Sequence, residues 1–528
     1  MSDGLTLVPA GAGAGKTWRI ENTLADWVEA GKVAPGRILA VTFTEAAASE
    51  LRGRIRAELM QRGRVSDALE IDRAWVGTIH ALGQRILTEH TFAAGRSPDS
   101  RLVTEAERDL LIRLELTRSA SLAPVMRDLA RFGYAWNQQT KATAEDTFRV
   151  NVLRTIDILR GLGERGQRPD ILAPALAKLE AGYGATQAPE PLTQALVQAA
   201  KELLKDFPNS LAQTAANDKA RKEFARDHAN LRRAAFTDAL SRDWKLWQAL
   251  RKLRQTKPLP PGYDTLSTQV IEAADGLLHH PGPLADARAH LQALVAGSQE
   301  ILTSYASAKC RAGLVDYADI ITEAEALIRL RPEILNAVLG EIDCVVIDEF
   351  QDTNPVQFAL LWRLAEGAGR ALIVGDTKQS IMGFQGADAR LSTALQMAHP
   401  DKVDPLTDNR RSVPEVMALV NALGPVLFPE GYGPLTPKRP SAGTVALEAI
   451  ALPSSWADKK NHAPDCIADR VANILSGGEM IVDKASETLR PVRASDIAVL
   501  CYTAANCSVS GGAIVGHGSG GIGLLRAA

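Results

Sequence analysis

Leu5-Thr6-Leu7-Val8-Pro9-Ala10-Gly11-Ala12-Gly13-Ala14-Gly15-Lys16-Thr17 is the stretch whose reading decides the fold. Leu5 to Val8 reads as a short buried strand, the glycines and alanines as a tight loop, and Lys16 as the start of a helix. Ala10 to Thr17 (Ala10, Gly11, Ala12, Gly13, Ala14, Gly15, Lys16, Thr17) fits the Walker A pattern with alanine in its first position. Small residues let successive backbone N–H groups wrap a polyphosphate, and the following helix points its positive end at it. In that pattern Lys16 reaches the β- and γ-phosphates of ATP, and the Thr17 hydroxyl binds Mg²⁺. The plain alternative is an ordinary glycine-rich turn. Its placement between a strand and a helix is the context that the phosphate-binding reading requires.

Outward from this loop the same grammar repeats. Ile38–Phe43 reads as a second buried strand followed by a helix over 46–61, and Trp75-Val76-Gly77 as a third leading into a helix from Ile79. Such alternation builds a parallel sheet covered on both faces, an α/β fold. From about 91 to 310 the strand signal vanishes, and Leu, Ala, Arg and Glu recur at helical spacing, with breaks at Pro189-Glu190-Pro191 and Pro258–Gly262. A long helical insertion is expected there. Strands return at Cys344–Ile347 and Ala371–Val374. A Pro- and Gly-rich boundary at 424–440 precedes two further expected strands, Thr444–Ile450 and Ile497–Leu500. Residues 507–528 are Gly/Ser-rich without a core-forming pattern and read as a disordered tail.

Composition sets wide bounds. A chain of 528 residues is expected to form more than one domain, and 46% hydrophobic with 23% charged residues suits a protein with sizeable cores. The net charge of −2 does not argue against nucleic acid, because a binding groove can be local. No apolar run is long enough to span a bilayer, and the first residues lack an export signal. Five scattered cysteines form neither a disulfide framework nor a paired zinc-binding spacing, so a reduced cytoplasm is expected.

The Walker A loop needs acidic partners at the end of another strand. Val345-Val346-Ile347-Asp348-Glu349 supplies them: Asp348 to hold Mg²⁺ and Glu349 to activate the attacking water. Two acids after a strand can also be simple helix caps. The longer stretch Asp348-Glu349-Phe350-Gln351-Asp352-Thr353-Asn354-Pro355 resembles the Walker B segment of superfamily 1 helicases of the UvrD/Rep type. Further segments are similar to that family in the same order. They are Thr42–Ala48 with Glu50–Ile55, then Gly77-Thr78-Ile79-His80, Leu314–Ile320, Val374–Ile381 with Phe384–Asp388, and Asn409-Arg410-Arg411-Ser412. Glu45 within the first of these points to the RecB/AddA-like branch. The resemblance covers about 5–90 and 310–500, and it accounts for the more than three hundred residues between Lys16 and Asp348, since the family inserts a helical subdomain there.

The resemblance implies a P-loop NTPase (RecA-like) first motor domain from 1–90 and 311–410, a helical inserted subdomain over 91–310, and the start of a second RecA-like domain over 411–506. It also implies an ATP-dependent 3′→5′ DNA helicase or translocase in recombinational repair. The cofactors would be ATP and Mg²⁺; the partners would be single-stranded or duplex-end DNA and a second nuclease–helicase subunit, with no membrane. Roles carry over as follows. Glu349, Lys16, Gln379 and Arg411 are catalytic, with Gln379 sensing the γ-phosphate and Arg411 an arginine finger worth several orders of magnitude in rate. Thr17 and Asp348 hold the metal. Thr42, Phe43, Thr78, His80 and Phe384 line the strand path, aromatics stacking on bases and hydroxyls or histidine meeting the backbone. Taken alone, Phe43 and Phe384 read as core and His80 as a structural histidine; only the motifs reverse that.

Some positions depart from the family. Arg410 stands where a tyrosine commonly stacks on adenine, its flat guanidinium taking that place in the ATP site. Gln385 and Met382 replace a common arginine and tyrosine. No segment like the family's fifth and sixth motifs, and no nuclease carboxylate cluster, follows residue 500. The expectation is a chain interrupted near Leu500–Cys507, binding ATP–Mg²⁺ weakly, hydrolysing it slowly and not unwinding DNA alone. The competing readings are a non-motor ATP-binding scaffold and a P-loop kinase. In the insertion, 218–257 carries 12 Lys/Arg against 5 Asp/Glu with Phe224, Phe236, Trp244 and Trp247 among them. It fits either a DNA-contacting arm or a solvated helix pair with its aromatics inward.

Overall fold

The computed structural model describes residues 4–95, 100–138, 140–207, 217–256, 259–441, 447–450, 456–483 and 488–500, without the side chains of 384, 385 and 456–463. Its centre is a five-stranded sheet built from β1 (Leu5–Pro9), β2 (Ile38–Thr42), β3 (Trp75–Thr78), β6 (Cys344–Ile347) and β7 (Arg370–Gly375). The order is β1-β7-β6-β2-β3 and every pairing is parallel. Between them in sequence lie two short strands, β4 (Arg101–Leu102) and β5 (Leu314–Val315), which pair with each other.

Parallel strands are buried on both faces, and this sheet shows why its strands read as unbroken apolar runs. Successive side chains point to opposite faces. Leu39, Val41, Val345, Ile347, Ala371 and Ile373 pack into one core with the helices Ile79–Glu89, Tyr317–Leu330 and Pro355–Gly367. Their neighbours Ile38, Ala40, Cys344, Val346, Leu372 and Val374 pack into the other, against Lys16–Glu29 and Glu45–Gln61. The outer edge of β1 is not bare. Asp404 and Leu406 donate backbone N–H groups to Leu7 and Pro9, so the segment 403–406 covers an edge that would otherwise invite pairing.

The helical insertion leaves after β4 and returns at β5, so its two ends meet in a two-residue ladder, Arg101 opposite Leu314 and Leu102 opposite Val315. It carries two cores. One joins Glu105–Arg118, Ala144–Gly161 and Pro281–Ala312 around Ile112, Phe148, Ile301 and Tyr305. The other joins Pro189–Asp206, Asp218–Phe236, Trp244–Leu250 and Tyr263–Asp275 around Trp247. Asp286 ties them, accepting from the Arg131 guanidinium and from the Trp244 indole at 2.8 Å. In the basic stretch Phe224 and Trp247 are buried core residues and Trp244 packs against that core, while Phe236 is exposed. Arg226, Arg233, Arg251 and Arg254 pair with Asp227, Asp243, Asp275 and Glu223. The stretch is thus largely a charged helix pair with its aromatics inward.

The chain divides into two compact units, Met1–Arg411 with Gly433–Lys438, and Ser412–Tyr432 with Arg439–Ala528. The second contains the helices Pro414–Leu427 and Trp456–Ser476 and a hairpin pairing Met480–Val482 with Leu489–Pro491. Two strand expectations fail here. Ile497–Leu500 forms no ladder, and 447–450 is likewise without regular structure, while 444–446 lie outside the described residues. Apolar β-formers make a strand only when a neighbour completes their hydrogen bonds, and no described residue pairs with either run. The Gly/Ser-rich tail, 507–528, also lies outside the described residues.

Candidate active site

All the parallel strands end on one edge of the sheet, and the functional candidates gather along it. Ala10 leaves β1 with its N–H bonded to the Gly375 carbonyl at 3.0 Å, which sets the loop beside the end of β7. Gly13 and Gly15 have φ of 76° and 89°, a region that L side chains rarely adopt. Gly13 is also sterically closed. A Cβ there would stand 2.7 Å from Cβ of Arg411 and 2.8 Å from Nδ2 of Asn409. The helix Lys16–Glu29 has no side-chain cap, so its first N–H groups are left for an anion at the loop.

The acidic pair follows β6. Asp348 donates its backbone N–H to the Val41 carbonyl at 3.0 Å, and its carboxylate accepts from the N–H of Glu349 at 3.0 Å. Burial and the neighbouring Glu349 push the Asp348 carboxyl up to about 6, against the opposing pull of Lys16. Glu349 adopts φ 51° and ψ 43°, and its Oε2 accepts from the Lys16 ammonium at 2.5 Å. Lys16 of the glycine-rich loop and the acidic pair therefore meet across more than three hundred residues of sequence.

Two further segments close on the same place. After β7, Asp376 is buried and its carboxylate accepts from the Gln379 amide at 2.8 Å and the Lys378 ammonium at 2.9 Å. Asn409 is 1% exposed and donates to the Ala12 carbonyl at 2.8 Å, and the Arg410 N–H donates to the Gly13 carbonyl at 2.9 Å. The Arg411 N–H bonds the Asn409 side chain at 3.0 Å. Asn409-Arg410-Arg411 thus lies directly on the loop. The Arg410 guanidinium stands 4.9 Å over the ring of Trp18, an exposed residue one position beyond Thr17. Gly11 faces Leu435.

The strand-path candidates divide. Thr42 and Thr78 are register partners at the ends of β2 and β3, and both are buried. Their hydroxyls have local work: Thr42 donates to the Thr44 carbonyl at 3.1 Å, and Thr78 donates to Glu45 at 3.0 Å while capping the Ile79–Glu89 helix through Ala81. Phe43 is half-buried against the sheet core, close to its plain core reading. His80 borders a cleft of about 490 Å³ with Thr78, Glu45, Gln84, Arg101 and Tyr317. It meets the exposed Tyr317 ring edge-on at 5.8 Å, and burial lowers its imidazole pKa. The Phe384 side chain lies outside the described residues.

Sequence reasoning passed over Gln351, Asp376, Trp18 and Tyr317 as site residues. Gln351 and Tyr317 lie inside quoted motifs, and Trp18 adjoins the Walker A loop, but their contacts are tertiary. The described residues hold no cluster of three or more His, Cys, Asp or Glu arranged for a metal. A P-loop site asks for less, one hydroxyl and one carboxylate beside the phosphates, and Thr17 and Asp348 are hard oxygen donors of that kind. Burial raises the Asp348 carboxyl and Glu349 adds negative charge beside it, both of which a bound cation would offset.

Comparison with known proteins accords with this arrangement. The family profile described as the UvrD/REP helicase N-terminal domain matches residues 1–400. The chain is similar to an ATP-dependent helicase/nuclease subunit of Streptococcus equi subsp. zooepidemicus, 26% identical over 81% of this chain and 38% of that protein. It is similar to "RecBCD enzyme subunit RecB" of Escherichia coli, 26% identical over 94% of this chain and 46% of that one. With "DNA helicase II" of Escherichia coli it shares 36% identity over 24% of this chain and 18% of the other. The chain thus spans less than half the length of each of these relatives. With the profile covering most of its residues, the chain belongs to the UvrD/REP helicase N-terminal domain family.

Proposed function

We propose that this chain carries the ATP-hydrolysing part of a DNA helicase or translocase that moves 3′→5′ on single-stranded DNA in recombinational repair. The observation that carries the reading is the convergence of Lys16, Asp348–Glu349, Asp376 with Gln379, and Asn409–Arg411 at one sheet edge. A kinase or a generic phosphate loop has no need of the last two segments. Glu349 is the general base for the attacking water, Gln379 the γ-phosphate sensor and Arg411 the group that meets charge on the transferring phosphoryl. Arg410, held over Trp18, offers a flat cationic face for the nucleobase.

The metal is Mg²⁺, with Thr17 and Asp348 to hold it. When bound it neutralises charge on the phosphates and orients them. Lys16 exchanges its contact with Glu349 for the phosphates, which leaves the carboxylate to accept a proton from water. The cleft between His80 and Tyr317, wide, open and aromatic at its rim, is where the strand passes. A second nuclease–helicase subunit in the cytoplasm is the partner that this reading implies. No described helix is long and apolar enough to cross a membrane.

ATP turnover with and without a single-stranded oligonucleotide tests the proposal. Lys16→Ala and Glu349→Gln should each reduce it about a hundredfold or more. Nucleotide binding without turnover or DNA stimulation in the parent chain would favour the non-motor scaffold instead.

A further inference from the structure

Gln351 is 1% exposed and spans the two strand ends that carry the site. Its Oε1 accepts the backbone N–H of Asp376 at 2.8 Å, and its Nε2 donates to Oε2 of Glu349 at 2.9 Å. The amide can face only one way. A backbone N–H only donates and an ionised carboxylate only accepts, so the oxygen must turn to Asp376 and the nitrogen to Glu349. Gly375 makes room for it: a Cβ there would lie 2.7 Å from Oε1 of Gln351. The Ser380 hydroxyl adds a bond to the Gln351 carbonyl at 3.3 Å.

This side chain completes an unbroken path. The Gln379 amide donates to Asp376, the Asp376 N–H donates to Gln351, and Gln351 donates to Glu349, whose same oxygen meets Lys16. The base end of the path is strained. Glu349 holds a left-handed backbone that a non-glycine residue adopts at a cost, and its Oε2 is held by Lys16 and Gln351. When Lys16 turns to phosphate, Gln351 is the grip that stays.

We propose that Gln351 is a positioning residue that aims the Glu349 carboxylate and ties it to the 376–379 loop, so that what Gln379 meets is felt at the base. This rests on the reading of Glu349 as base and Gln379 as sensor. Two variants separate the role from simple packing. Gln351→Glu keeps the shape and can still accept from Asp376, but as a carboxylate it sets a like charge against Glu349 in place of a donor. Gln351→Met keeps the volume and loses both bonds.

The experiment uses the full 528-residue chain. It measures ATP turnover, melting temperature, and oligonucleotide affinity with and without a non-hydrolysable ATP analogue and Mg²⁺. In both variants kcat should fall about tenfold or more with KM within about threefold, the pattern of a lost transition-state interaction. The analogue should change oligonucleotide affinity about fivefold or more in the parent and leave it unchanged in the variants. Melting temperatures should fall by a few degrees at most, the cost of buried hydrogen bonds left unmade. Parent-like kcat and analogue response in both variants would overturn the role of Gln351 alone. Parallel losses of kcat, KM and melting temperature would make it a packing residue. A parent with neither turnover nor analogue response would overturn the reading of the site, and the proposal with it.

Discussion

Gly13 combines two constraints that separate cleanly by mutation. Its φ of 76° disfavours any side chain, and the Arg411 and Asn409 side chains fill the space where a Cβ would go. Gly31 has φ of 66° with nothing within 4 Å, so it isolates the first constraint. Gly31→Ala should cost about 1–2 kcal/mol of stability, the price of a left-handed backbone alone, with nucleotide affinity kept. Gly13→Ala should cost more and weaken binding of a fluorescent ATP analogue about tenfold or more, since it displaces Asn409–Arg411 from the loop. Denaturant titration and analogue binding check both.

Asp348 gives a pH dependence with a definite sign. Its carboxyl is raised to about 6, and only the ionised form can hold a cation. Mg²⁺-dependent nucleotide affinity should therefore be flat above that value and fall as pH drops through it. In Asp348→Asn the metal-dependent part should be small at every pH. Calorimetric titrations from pH 5 to 8 would read this out, and a parent curve without an acid limb would contradict it.

At the scale of elements, Asp316 joins the insertion to the sheet domain. It caps the helix Tyr317–Leu330, is buried, and accepts from Arg160 at 2.6 Å, Tyr305 at 3.1 Å and Lys309 at 3.3 Å. Burial alone would raise its carboxyl, but Arg160 and Lys309 outweigh it and hold the pKa below the ordinary carboxylate value. A lowered folded-state pKa means stability that is fully present at neutral pH and lost as pH falls below the ordinary carboxylate range. Asp316→Ala leaves Arg160 and the buried Lys309 to share Asp319 alone and should cost about 3 kcal/mol. In urea titrations the gap between parent and variant should be widest near neutrality and should narrow in acid.

The strands and the phosphate loop were legible in sequence because each is a local pattern: apolar runs ended by glycine, then a helix start. The outcome for Ile497–Leu500 marks the limit of that logic. Its composition suits a strand, but a ladder needs a neighbour, and composition does not name one. Thr42 and Thr78 show the same limit within the site. Their motifs suggest contact with DNA, and only the structure adds that Thr42 bonds the Thr44 carbonyl while Thr78 bonds Glu45 and caps a helix. Gln351 stood in plain view between Phe350 and Asp352, yet its link to Asp376 exists only because β6 and β7 are neighbours.

Across the whole molecule, the sheet edge of the first unit assembles the glycine-rich loop, an acidic pair, a turn anchored by the buried Asp376 and an arginine pair from segments spread over four hundred residues. The helical insertion adds two cores of its own and re-enters beside the cleft that His80 and Tyr317 border. The residues after Leu500, on which the expectation of an interrupted chain rests, lie outside the described ones. The most direct test is Mg²⁺-dependent ATP turnover by the purified chain, with and without a single-stranded oligonucleotide, beside Lys16→Ala and Glu349→Gln. The account predicts turnover, however slow, that rises with the oligonucleotide and falls to background in both variants. Turnover that both variants retain, or none in the parent under any condition, would contradict it.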